Sequence, residues 1–141
     1  MKFFTISEMS RSATAKRLGI DNTPPEDIKN NLTLFIETVL DPIRKDWGEP
    51  ITVSSGYRCP QLNKAVGGAK TSGHQYGFCA DLQVKGNKLR KFADFVYQWF
   101  IDYNMVFDEL LYESSGGVTW LHLCWIGKDG RQRMKKFDII K

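Results

Sequence analysis

Histidine is scarce in this chain: of 141 residues only His74 and His122 carry an imidazole. No CxxC pair is present, and no apolar run approaches the roughly 18 residues that would suggest a membrane span. Repeats, low-complexity tracts and a convincing interdomain linker are also missing, so one domain spanning 1–141 is expected. The opening MKFFTISEMS has a single Lys, then polar Thr, Ser and Glu where a leader needs apolar residues, which makes a poor signal peptide. Export would need another route. Cys59, Cys79 and Cys124 are odd in number, in a chain long enough to bury a core without staples. They read as thiols, which fits folding in a reducing compartment.

What is present describes a compact soluble domain, with a hydrophobic fraction of 42%, a charged fraction of 26%, nine Phe and four Trp. The formal charge of +4 is concentrated in KGNKLRK at 85–91 and KDGRQRMKK at 128–136. Such runs favour an anionic surface such as nucleic acid or an acidic wall polymer; solvated turn and tail residues are the plain alternative. Neither run has the interleaved aromatics of a single-strand stacking platform, and no motif points to sequence-specific nucleic-acid binding.

Ser7 or Ser12 can cap short helices before Gly19 ends the first pattern. After Thr23 and Pro24-Pro25, Ile28, Leu32, Phe35, Ile36, Val39, Leu40 and Ile43 recur at three- and four-residue spacings. This predicts an amphipathic helix of about five turns that Pro42 bends or interrupts. ITVSS at 51–55 reads as a strand delivering Arg58, residues 60–66 as a short helix, and 67–73 as a Gly-rich loop entering His74. GFCADLQV carries Asp81 on a strand, and a helix follows through Leu89, Phe92, Phe95, Val96, Trp99 and Phe100. Residues 106–112 and 118–126 read as two strands separated by Glu113-Ser114-Ser115-Gly116-Gly117, and Phe137, Ile139 and Ile140 can form a last strand. The sum is an α+β domain with a central antiparallel sheet and helices mainly on one side.

His74 precedes Asp81 by seven residues, and His122 arrives on another strand. Two imidazoles and a carboxylate suit one divalent ion, most naturally zinc with an open fourth position, as in a hydrolase. A structural histidine and a surface one would explain the same residues. Cys79 shares strand parity with Asp81 and is a ligand or a small buried filler. Arg58 can hold a carboxylate bidentately or stabilise an oxyanion; its plain role is a salt bridge. A hydrolase also needs a general base, for which Glu113 is the favoured carboxylate and Glu109 and Asp108 are competitors. Tyr57 and Tyr76 can donate to substrate. Trp120 and Trp125 face opposite sides of an ideal strand, so one packs the core and the other lines a cleft.

SGYR at 55–58, LNKAVGGAKTSGH at 62–74, GFCAD at 77–81 and WLHL at 120–123 resemble, in order, the motifs of peptidase family M15, the zinc D-Ala-D-Ala carboxypeptidase and endopeptidase superfamily. FTISEM, IDNTPPEDIKNNL and LDPIRKDWG are similar to segments of small phage and prophage members described as M15A-like. The resemblance implies a hedgehog/DD-peptidase-like fold, with His74, Asp81 and His122 as zinc ligands and Arg58 in substrate binding or transition-state stabilisation. It also implies peptidoglycan stem peptides as substrates, and a monomer made in the host cytoplasm that reaches the wall after holin-dependent or lytic release. Many members place an acidic base three residues before the last histidine, where this chain has Thr119. Gly73 and Phe78 also depart from the usual pattern. A non-catalytic wall-binding module and a virion-associated structural protein stand as competing readings.

Overall fold

The computed structural model describes residues 1–136, so the strand expected through Phe137, Ile139 and Ile140 lies outside the described residues. Thr5, rather than Ser7, opens α1 (Ile6–Ser10) by accepting from the Glu8 N–H, and Ser12 caps α2 (Ala13–Leu18) in the same way. The long amphipathic stretch forms α3 (Glu26–Phe35) and α4 (Asp41–Trp47), joined without a break by one wider, π-type turn at Ile36–Leu40. Pro42 explains that turn. It has no N–H to continue the ladder, and its ring would press on the carbonyl one turn back, so the helix widens just before it.

The strands are β1 (Thr52–Ser55), β2 (Cys79–Gln83), β3 (Glu109–Ser115), β4 (Val118–Cys124) and β5 (Lys135–Lys136), in the order β1-β2-β4-β3-β5. All pairings are antiparallel except β3 with β5, which is parallel and makes the sheet mixed at that edge. Between β1 and β2 lies the short helix α5 (Pro60–Ala65), and between β2 and β3 lies α6 (Leu89–Asp102).

Strand alternation divides the sheet into two chemically different faces. Ala80, Leu82, Leu110, Leu121 and Leu123 form one, fully buried in the same cluster as Leu32, Phe35, Val39, Phe92, Val96 and Phe100 from the helices. Burying each large side chain of this kind contributes about 1.5–3 kcal/mol relative to exposure. The opposite face carries Asp81, Glu109, Glu113, Trp120 and His122, held at fixed heights by the packing behind them.

Two differences from the expected elements bear on the site. β3 begins at Glu109 rather than 106, because Asp108 is wholly buried and ties the chain there to Arg133. It then runs on to Ser115, because Gly116 (φ 59°) and Gly117 (φ 81°) alone make the reversal. Two consecutive left-handed residues are what a tight hairpin with right-handed strand twist requires. Glu113 therefore lies within a strand, opposite Trp120, and not in a loop.

The three cysteines are not all thiols. Cys79 and Cys124 face each other across β2 and β4 and form a disulfide, leaving Cys59 free with its sulfur accepting from the Leu62 N–H at the start of α5. An odd count shows that one cysteine is unpaired; it cannot show which strands become neighbours. The pairing corrects the reading of all three cysteines as thiols, and Cys79 is thereby excluded as a metal ligand.

Candidate metal centre

β2 and β4 place Asp81 directly opposite His122, and a single turn of 3₁₀-helix at Gly73–Gln75 lowers His74 onto the same face. Asp81 Oδ1 lies 3.3 Å from His74 Nε2 and 3.0 Å from His122 Nδ1. One donor from each residue falls within 4.8 Å of the others. In a tetrahedral zinc site with bonds of about 2.0–2.1 Å, neighbouring donors stand roughly 3.3 Å apart. The donor set thus fits one divalent ion in both chemistry and spacing.

Each imidazole is oriented by its other nitrogen. His74 Nδ1 is 2.7 Å from the Gly56 carbonyl, and His122 Nε2 is 3.2 Å from Glu109 Oε1. His74 is only 2% exposed and His122 9%, so water competes poorly with these contacts. Burial works against the Asp81 carboxylate, yet the two histidines beside it outweigh burial and hold it well below the usual carboxylate range. Burial likewise disfavours the His122 imidazolium, but hydrogen bonds to Asp81 and Glu109 override it and push His122 up to about 10. A proton and a metal ion compete for the same Nδ1 lone pair, so metal affinity rises with pH.

A cleft of about 410 Å³ opens over these atoms and is lined also by Arg58, Glu109, Glu113 and Trp120. Arg58 follows a bulge at the end of β1, and its backbone N–H donates to the His74 carbonyl at 3.0 Å. Its Nη2 donates to Ser72 Oγ at 3.3 Å, while its buried Nε has no acceptor among the described residues. Burial lowers the Arg58 pKa, partly opposed by the charges of Asp81 and Glu113; a guanidinium stays protonated regardless. Glu113 Oε1 accepts from Trp120 Nε1 at 3.0 Å.

The structure thus gathers Arg58, His74, Asp81, Glu113 and His122 around one cleft. Asp108 also lines it but is buried under Arg131 and Arg133. Trp125 stacks on Phe35 and meets Phe78 edge-on, which gives the bulky Phe78 a packing role. Tyr57 is buried in the core cluster. Thr119 pairs with Ser114 and lies on the face opposite His122, because three residues along a regular strand reverses the side. A carboxylate at 119 would point away from the donors in this register.

Gly73 also acquires a reason. A Cβ built there would collide with the sulfurs of Cys79 and Cys124, so the disulfide takes the space that a side chain at 73 would fill. Glu109 as partner of His122, and Arg133 behind it, did not emerge from the sequence. The available signal was parity: Glu109 shares its strand face with Glu113, and pairing β3 with β4 brings that face to His122.

The model of a protein family described as peptidase M15 matches residues 2–106. That span contains Arg58, His74 and Asp81 and ends before β3. No curated protein matches the chain at a significant level.

Proposed function

The chain belongs to the peptidase M15 family, with residues 2–106 of its 141 matched, and from that premise of metallopeptidase-type hydrolysis we propose that it is a zinc peptidase cutting peptidoglycan stem peptides. The observation that carries the reading is the convergence of His74 Nε2, Asp81 Oδ1 and His122 Nδ1 at the floor of a cleft whose walls present Arg58 and Glu113. Zinc held by those three residues would supply Lewis acidity, polarising the scissile carbonyl and acidifying water.

The chain's own residues account for the remaining tasks. Arg58, on the cleft wall, binds a substrate carboxylate or the oxygen that gains charge at the carbonyl. Ser72 fixes the guanidinium and also accepts from the His74 N–H at 3.3 Å, so recognition and ligation are positioned together. Glu113, on the cleft wall with one oxygen held by Trp120, takes the proton from water and passes it to the leaving amine. A second groove of about 620 Å³, with Arg11 and Lys16 on its wall, shares Arg58 and Asp81 with the first. Together they offer an extended track suited to a peptide with acidic groups.

The scissile bond, D-Ala-D-Ala or one within the stem or cross-bridge, belongs to the same proposal, as does a phage or prophage setting with release to the wall through a holin or on lysis. These parts rest on the sequence resemblance, as does a monomeric state. The test is mass spectrometry of defined peptidoglycan fragments incubated with zinc-loaded and metal-stripped protein. Zinc-dependent release of D-Ala, or scission at one bond, is expected. No product across several wall chemotypes, with zinc fully loaded, would turn the reading to a wall-binding or virion structural protein.

Arg58→Lys keeps the charge but loses the planar fork. Turnover of a carboxylate-bearing fragment is expected to fall by about 1.5–3 kcal/mol of lost charged hydrogen bonding, roughly 10- to 100-fold in kcat/KM. Zinc content should stay at the parent level. Parent-like kcat/KM in this variant would remove Arg58 from recognition.

A further inference from the structure

We propose that Glu109 is a positioning residue for the metal centre: it fixes the His122 ring so that Nδ1 faces the ion, and Arg133 holds Glu109 in place. The inference rests on the metal-site reading above and adds a requirement that reading does not contain.

A neutral imidazole has one N–H and one lone pair, and only the lone pair can ligate. The Glu109 carboxylate has acceptors alone, so at 3.2 Å from Oε1 the Nε2 atom of His122 must be the one carrying the hydrogen. Nδ1, 3.0 Å from Asp81 Oδ1, is then the nitrogen whose proton an ion would displace, freeing its lone pair toward the point shared with Asp81 Oδ1 and His74 Nε2. The opposite tautomer would aim an N–H at the ion and a lone pair at a carboxylate. His74 uses the reverse pairing, with Nδ1 on the Gly56 carbonyl and Nε2 toward Asp81. The two histidines thus present different nitrogens, each selected by its own acceptor.

Glu109 is itself held from behind. Its Oε2 accepts from Arg133 Nη2 at 3.0 Å, with Lys135 Nζ at 3.9 Å. Arg133 is bracketed by Asp108, donating from Nε to Oδ1 at 2.8 Å and from Nη2 to Oδ2 at 3.1 Å, while its backbone N–H adds a third contact to Oδ1 at 3.1 Å. Asp108 is fully buried, so this anchor is rigid. With both its oxygens engaged, Glu109 is poorly placed to shuttle a proton and well placed to orient a ligand. Outer carboxylates of this kind change metal affinity by about 10–100-fold when removed.

The test measures zinc affinity by competition with a chelator for the parent protein, Glu109→Gln and Glu109→Ala, with circular dichroism to confirm folding. E109A is expected to bind zinc about 10–100-fold more weakly. E109Q offers one oxygen for which His122 and Arg133 compete, and should fall between the two. Nitrogen-15 NMR of the zinc-loaded parent should show His122 protonated at Nε2. Parent-like affinity in a folded E109A, or a proton on Nδ1 in the parent, would overturn the positioning role while leaving the metal site standing. A parent protein that takes up no zinc would overturn both. None of these readouts requires hydrolysis.

Discussion

Replacing His74 with alanine is expected to lower hydrolysis of a susceptible wall peptide by on the order of 10³-fold or more, the several kcal/mol that a bound metal contributes to a charged transition state. The imidazole cannot be replaced from its surroundings. Its Nε2 stands 3.3 Å from Asp81 Oδ1, and its Nδ1 is anchored 2.7 Å from the Gly56 carbonyl. Zinc measured after gel filtration should fall well below one equivalent. The truncation also leaves the Gly56 carbonyl without its donor in a site that is 2% exposed, a cost of about 1–3 kcal/mol, so a lowered melting temperature should accompany the loss. Full turnover by H74A would remove the metal centre from the mechanism.

Glu113→Gln separates the base from the ligands. The amide keeps the shape and can still accept from Trp120 Nε1, a bond of 3.0 Å in the parent, but it cannot take a proton at neutral pH. Loss of a general base typically costs 10²- to 10⁴-fold, expected here in kcat with zinc content and melting temperature unchanged. The other carboxylates lining the cleft are committed. Asp81 lies between the histidines, Glu109 is shared by His122 and Arg133, and Asp108 is buried against Arg133. Parent-like turnover by E113Q would remove Glu113 as the base, and any described carboxylate of the cleft taking its place would have to break one of those contacts.

Elements with long, regular patterns were legible before the structure. Phe92, Val96, Trp99 and Phe100 mark α6 because their spacing matches a helix face, and Asp81 and His122 announce strands through alternation. What stayed hidden depends on which segments become neighbours. The sequence pattern ends β3 before Glu113, since Glu-Ser-Ser-Gly-Gly looks like a loop; only pairing with β4 shows that the two glycines turn the chain alone. The Cys79–Cys124 bond and the Glu109–Arg133 contact are of the same kind, made across strands with no signature in local composition. Pro42 marks a disturbance in the helical pattern, but whether a helix kinks, stops or widens is settled by packing on both sides of it.

The disulfide has a further consequence for how the ligands keep their spacing. Hydrogen-bonded strands can slip, and a shift of one residue between β2 and β4 would turn Asp81 and His122 to opposite sides of the sheet. Cys79 and Cys124 sit two residues from those ligands on the same rung pattern, so the cross-link makes that error covalently impossible. After any local fraying of the sheet, the two ligands can re-form only in the alignment from which they started.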